Sequence, residues 1–234
     1  MSALFLSPHP DDAELFCGAT IAALGARSQV WIADLTRGEL SSNGDVQTRA
    51  EEARAAAARL GVQGQREQLG LPDGGLLAHD EDQLRAIVEL IRRLRPELLV
   101  APWVQDRHPD HVAAGQLARA AMRLAGATAW PCAEPAFAPR RLLFYPCHTA
   151  VEPSLLVDVS GSIQAWEEAV ACYRSQFLRE EGLNRVPTPI NQPGFIRSQL
   201  ARRELWGTRI GVAHAEAFIH EGPWPARVQG LLEG

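Results

Sequence analysis

Short apolar runs alternate with helical stretches through the first half of this chain of 234 residues, and that alternation limits the fold more than any other feature. Ala3 to Ser7 reads as a strand, Asp12 to Arg27 as a helix, Gln29 to Leu35 as a strand, and Gln47 to Leu60 as an alanine-rich helix stopped by Gly61. Arg66 to Leu71, Glu81 to Leu94 (halted before Pro96), Glu97 to Ala101 and Pro109 to Leu124 continue the pattern. This order predicts an α/β, Rossmann-like three-layer fold with a mostly parallel central sheet. The second half is less regular. Strands are expected at Arg141–Tyr145, Leu155–Val159 and Ala213–Ile219, helices over Ser162–Phe177 and Phe195–Gly207, and loops over Pro131–Pro139 and Glu180–Pro193. A single domain over residues 1–234 suits this length.

Composition narrows the function classes. Hydrophobic and charged fractions of 46% and 22% are those of an ordinary globular protein. A net charge of −5 offers no basic surface for nucleic acid. No apolar run reaches membrane-span length, and the start, Met1 to Leu6, reads as a first strand rather than a leader. A cytoplasmic protein with neither nucleic-acid nor membrane partners is expected. All 23 basic residues are arginine, so a Schiff-base lysine mechanism is excluded. Cys17, Cys132, Cys147 and Cys172 form no C-x-x-C pair and read as inert thiols of a reducing compartment.

Parallel α/β sheets place ligands at the carboxyl ends of their strands. Two such ends carry unusual sequences: Ser7-Pro8-His9-Pro10-Asp11-Asp12 after the first strand, and Asp106-Arg107-His108-Pro109-Asp110-His111 after the strand ending near Ala101. A catalytic zinc takes three protein ligands and leaves a position for water. His9, Asp12 and His111 can supply two imidazoles and a carboxylate, which suits Zn2+ and also describes the facial triad of non-haem Fe2+ enzymes. Asp11, His108 and Asp110 then stand unligated nearby. A free carboxylate beside an activated water is a general base, and a His paired with an Asp is a candidate acid or electrostatic stabiliser. Taken singly, Asp11 or Asp12 reads as a helix cap, and Asp110 as the opening of a helix after Pro109. Capping alone does not account for six such residues at two strand ends.

His9-Pro10-Asp11-Asp12 with His108-Pro109-Asp110-His111 resembles the PIG-L/LmbE family of N-acetylglucosamine-type deacetylases. The resemblance implies a Rossmann-like fold, metal ligands at His9, Asp12 and His111, a base at Asp11 and an auxiliary charged pair at His108 and Asp110. It extends to one branch, the bacillithiol-pathway deacetylases of N-acetylglucosaminyl malate. That likeness rests on the loop Asp34 to Gly44 with its Ser41-Ser42-Asn43-Gly44, on Leu71-Pro72-Asp73, Asp106-Arg107-His108, Tyr173-Arg174-Ser175-Gln176-Phe177 and Thr188-Pro189, and on Ala215-Glu216-Ala217-Phe218. Members of the family form homo-oligomers, often hexamers, so the resemblance implies a homo-oligomer here.

A malate aglycone carries two carboxylates, which Arg binds bidentately. Arg49 and Arg107 match arginine positions of that branch and are the expected substrate-binding residues, while Arg37 reads as a surface charge. Two positions depart from the pattern: Phe195 stands where some relatives carry a tyrosine, and Ala217 where they carry glycine. Three readings outside the family fit less well. An Fe2+ oxygenase places its carboxylate two residues after the first His, whereas Asp12 is three after His9. A dehydrogenase needs G-x-G-x-x-G where His9-Pro10-Asp11-Asp12 stands. A binding module that had lost catalysis would not need to keep all six site residues.

Overall fold

The structure is a computed structural model and describes residues 2–62, 66–177 and 186–223. Five strands, β1 (Ser2–Ser7), β2 (Gln29–Thr36), β3 (Arg66–Leu71), β4 (Leu98–Pro102) and β5 (Arg141–Tyr145), form one sheet in the order β3-β2-β1-β4-β5. Every pairing in it is parallel. Helices α1 (Asp12–Gly25), α2 (Val46–Arg59), α3 (Glu81–Leu94) and α4 (Pro109–Ala125) connect its first four strands and lead on from β4. After β5 come β6 (Leu155–Asp158), α5 (Ile163–Val170), the short α6 (Arg174–Phe177), α7 (Phe195–Thr208) and β7 (Ala215–Phe218). β6 and β7 pair antiparallel as a separate ribbon, joined to β5 by a bridge between Phe144 and Ile219.

Alternation along the strands creates the three layers. Ala3 and Phe5 of β1 point into one core cluster with residues of α1, α2 and α5, and Leu4 and Leu6 point into the other with residues of α3 and α4. The strand order reverses between β1 and β4, so their carboxyl ends flank a crevice, the place where such sheets bind ligands. Gly115 lets α4 lie close to that crevice, since a Cβ there would sit 2.5 Å from the Pro102 carbonyl oxygen.

Two helices depart from the sequence expectation. α1 is broken at Cys17 (φ −144°, ψ 21°), and the groups freed by the break are met from the far end of the chain. The Glu216 carboxylate accepts from the Ala19 and Thr20 N–H groups at 3.2 and 2.8 Å. Arg203 and the Trp166 indole donate to the Leu15 carbonyl at 2.9 and 3.2 Å, and Arg203 also pairs with Glu216 at 2.7 Å. The Ala215-Glu216-Ala217-Phe218 motif is therefore a brace for α1, and Ala217 is a buried strand residue opposite Leu156. The helix expected over Ser162–Phe177 breaks after Val170, which turns Tyr173 inward to donate its hydroxyl to Glu14 at 2.9 Å. Within the loop expected at Glu180–Pro193, residues 180–185 lie outside the described residues, and Pro189–Asn191 form a 3-10 turn. Among the described residues no helix is long and apolar enough to cross a membrane.

Candidate active site

The turn after β1 is stapled by its own side chains. Ser7 Oγ accepts from the Ala13 N–H at 3.0 Å and donates to the His9 carbonyl at 2.6 Å. Thr36, at the end of β2, donates through both N–H and hydroxyl to the Pro8 carbonyl at 3.1 and 2.9 Å. Asp11 follows with φ 135°, a left-handed conformation rare outside glycine. It occupies the N-cap position of α1, yet its carboxylate makes no capping bond. Capping thus does not explain Asp11.

His9, Asp12 and His111 converge. Asp12 Oδ2 lies 3.1 Å from His9 Nδ1 and 3.2 Å from His111 Nε2. In a tetrahedral site with ligand bonds near 2.0–2.1 Å the donor–donor edge is about 3.3 Å, so this donor set fits a divalent ion. Each imidazole turns its other nitrogen to a carboxylate, the arrangement that orients metal-binding histidines. His9 Nε2 meets Asp110 Oδ2 and Asp73 Oδ1, both at 3.1 Å. His111 Nδ1 faces Asp106 Oδ1 at 3.4 Å. Protonation follows the same field. Burial works against a charged His9 or His111, but the hydrogen bonds that the His9 ring donates to Asp110, Asp12 and Asp73, and the Asp12 charge beside His111, hold both well above the usual imidazole range. Burial opposes the charge of Asp12 too, and His111 and His9 outweigh it and hold its carboxyl well below its ordinary value. The pocket is built to hold positive charge.

Asp11 behaves differently. Burial raises its carboxyl to about 7, against the Arg49 charge, which lowers it. Arg49 Nη2 donates to Asp11 Oδ2 at 2.9 Å and to the Pro10 carbonyl. Arg49 was expected to bind substrate; it lines the cavity, but its Nη2 is engaged with Asp11 and the Pro10 carbonyl. The expected pairing of His108 with Asp110 is not formed. The Asp110 carboxylate is taken by His9 and by the Gly74 and Leu76 N–H groups at 2.8 and 3.2 Å, because Asp110 sits in the first turn of α4 and faces β1. His108 instead caps α4, its Nδ1 accepting from the Asp110 N–H at 3.3 Å. Burial, then the charges of His111 and His9, lowers its pKa. Arg107 is exposed at the cavity edge and has no ion-pair partner among the described residues.

His9, Asp11, Asp12, Arg49, Arg107, His108 and His111 line one cavity of about 540 Å³. Three further side chains belong to it or its frame. His148 follows β5 and stacks on His111 with centroids 5.4 Å apart. Burial lowers its pKa to about 4, leaving it neutral near pH 7. Asp106 accepts from the His108 and His148 N–H groups at 2.9 and 2.8 Å, and Asp73 accepts from the Leu40 N–H at 2.8 Å. Asp73 and Asp106 stand in motifs that imply no role for them, and His148 stands in no motif although it lies at a third strand end. One wall joins segments distant in sequence. Ser41 Oγ donates to Gln176 Oε1 at 3.2 Å, Gln176 Nε2 donates to the Asn43 carbonyl at 2.6 Å, and Asn43 Nδ2 donates to the Val186 carbonyl at 2.9 Å. Phe195 stacks behind Phe177 (6.3 Å between centroids), which lines the cavity.

The sequence pattern of PIG-L, described as GlcNAc-PI de-N-acetylase, matches residues 4–122, a span that holds both strand-end motifs. The chain belongs to the PIG-L family. It is 31% identical over 97% of its length to a 1D-myo-inositol 2-acetamido-2-deoxy-alpha-D-glucopyranoside deacetylase of Thermobispora bispora, covering 83% of that PIG-L relative. A second deacetylase of that name, from Catenulispora acidiphila, is 33% identical over 53% of this chain, and the chain spans about half of its length, 52%. The crystal structure of the conserved protein TT1542 from Thermus thermophilus is similar throughout, with a TM-score of 0.87, 40% identity and 97% of each chain covered.

Proposed function

We propose that this chain is a metal-dependent N-deacetylase of N-acetylglucosamine conjugates, and that N-acetylglucosaminyl malate is its substrate. The observation that carries the reading is the meeting of His9, Asp12 and His111 at one point, with Asp11 beside them in the same cavity. In this reading His9, Asp12 and His111 hold Zn2+, with Fe2+ as the other ion the donor set suits. The bound ion supplies Lewis-acid polarisation of the acetyl carbonyl and lowers the pKa of water. Asp11 takes the proton from the attacking water as the new C–O bond forms. The C–N bond then breaks, and the amine leaves with a proton returned by Asp11 or delivered by His108. Asp110 and Asp73 keep the His9 ring oriented, and Asp106 does so for His111.

Arg107 is the residue we assign to a substrate carboxylate, because it stands exposed at the cavity edge without an ion-pair partner among the described residues. Ser41, Ser42, Gln176 and Thr188 supply hydroxyl and amide groups for a sugar in the same cavity. A second reading is favoured by the relatives named for an inositol conjugate: the same chemistry on an N-acetylglucosamine linked to a neutral aglycone. A cytoplasmic homo-oligomer remains part of the proposal, with light scattering as its test. The substrate test is acetate release from N-acetylglucosaminyl malate, the inositol conjugate and free N-acetylglucosamine. Preference for malate that is lost in Arg107→Ala supports the first reading. Preference for the inositol conjugate, unchanged by Arg107→Ala, replaces it with the second.

A further inference from the structure

We infer that Arg49 is a positioning residue for the base rather than a contact for the substrate; the inference rests on the reading of Asp11 as that base. Asp11 sits at φ 135°, a conformation a non-glycine residue keeps only when its surroundings over-determine it. Its carboxylate makes no hydrogen bond to the start of α1. Arg49 supplies the missing restraint. Nη2 donates both to the Pro10 carbonyl, which leads into the strained residue, and to Asp11 Oδ2 at 2.9 Å, so one nitrogen ties backbone and side chain together. The other carboxylate oxygen is left for the proton it must accept.

Arg49 is itself held in place. Its relative exposure is 4%, and it rises from the first turns of α2, whose N-cap Asp45 accepts from the Thr48 N–H at 2.7 Å. The loop between β2 and α2 presses on the guanidinium at Gly38 (φ 66°), where a Cβ would stand 2.6 Å from Nη1 and 2.8 Å from Cζ. Gly38 in turn donates its N–H to Thr36 Oγ1 at 3.2 Å, the same hydroxyl that holds the Pro8 carbonyl. A chain of contacts thus runs from Gly38 through Arg49 to Asp11 and closes on the same turn through Thr36. Buried and held twice through Nη2, although its Nε finds no partner, the side chain is poorly placed to swing toward a ligand, whereas a small displacement of the carboxylate it holds costs rate.

The test compares kcat and KM of wild type, Arg49→Ala and Arg49→Lys on N-acetylglucosaminyl malate and on free N-acetylglucosamine, with metal content measured in each. Arg49→Ala is expected to lower kcat about 100-fold on both substrates, with KM within about threefold and metal content unchanged. Low millimolar guanidinium should restore part of the lost kcat. Arg49→Lys, which keeps a cation and a hydrogen-bond donor, should recover part of the rate and serves as the variant to read if the alanine protein does not fold. A rise in KM confined to the malate conjugate, with kcat kept, overturns the inference and makes Arg49 a substrate contact. Wild-type kinetics in either variant also overturns it. A wild-type protein that releases no acetate, or an Asp11→Asn that turns over normally, would instead mark the failure of the underlying reading.

Discussion

His9 Nε2 meets Asp110 Oδ2 at 3.1 Å, and this contact gives Asp110 a task different from the one its motif implies. A carboxylate on the far nitrogen of a metal-binding imidazole fixes the ring and raises its basicity, and losing it costs about 10–100-fold in metal affinity. Asp110→Ala should therefore weaken Zn2+ binding by about that factor, measured by chelator competition. His108→Ala should leave the affinity within about threefold. Equal losses in the two variants would restore the pairing of His108 with Asp110.

Buried charge behind the site gives a stability prediction with a definite pH dependence. Arg66 donates to both oxygens of Asp34 at 2.6 and 2.7 Å and also to Glu14, all three side chains being buried or nearly so. Arg66→Met would leave two buried carboxylates without their bonded counter-charge, a loss of about 3–5 kcal/mol in urea unfolding. Burial already raises the Asp34 carboxyl to about 6 even with the Arg66 charge opposing it. A carboxyl raised on folding makes the native state bind more protons, so its contribution to stability is lost as pH rises through about 6. Without Arg66 the carboxyl rises further, and the deficit of Arg66→Met should be larger at pH 8 than at pH 5. A deficit independent of pH would show that packing, not charge, dominates.

Gly115 couples packing to the site. Its missing side chain lets α4, which carries His111, approach the Pro102 carbonyl. Gly115→Ala is expected to cost about 1–3 kcal/mol as an overpacked contact. Because the helix must move to relieve it, Zn2+ affinity should fall as well, and a stability loss with unchanged affinity would place the strain elsewhere.

The parallel strands were legible to within a residue or two because strands covered on both faces read as near-continuous apolar runs, as in Leu98–Pro102 and Arg141–Tyr145. The two strand-end motifs were legible because imidazoles and carboxylates cluster where topology places a ligand. The break in α1 was not, since nothing near Cys17 announces it: the groups that satisfy it come from Trp166, Arg203 and Glu216, distant in sequence. The task of Asp110 was hidden for a similar reason. Its neighbour in sequence is His108, and its partner in space is His9, on another strand end. His148 carries no motif and joins the site only because β5 ends beside β4.

The four cysteines make an independent check on packing. Burial raises the thiols of Cys17 well above their ordinary range and of Cys147 to about 12. Only the thiolate reacts with alkylating reagents, so at pH 8 neither should be labelled by iodoacetamide in the native protein. Cys132, partly exposed, should label first, and Cys172, whose thiol burial also raises, should lag behind it. Rapid native labelling of Cys17 or Cys147 would contradict the placement of α1 and of the segment after β5.

Acetate release from an N-acetylglucosamine conjugate, by wild type and Asp11→Asn each stripped with chelator and restored with one equivalent of Zn2+, decides whether a metal at His9, Asp12 and His111 works with Asp11 as base. Both proteins should bind the ion, wild type should release acetate only when metal is restored, and Asp11→Asn should fall at least about 100-fold short of it. Near-equal turnover by the two metal-replete proteins, or acetate release by the stripped wild type at the restored rate, would contradict that joint role.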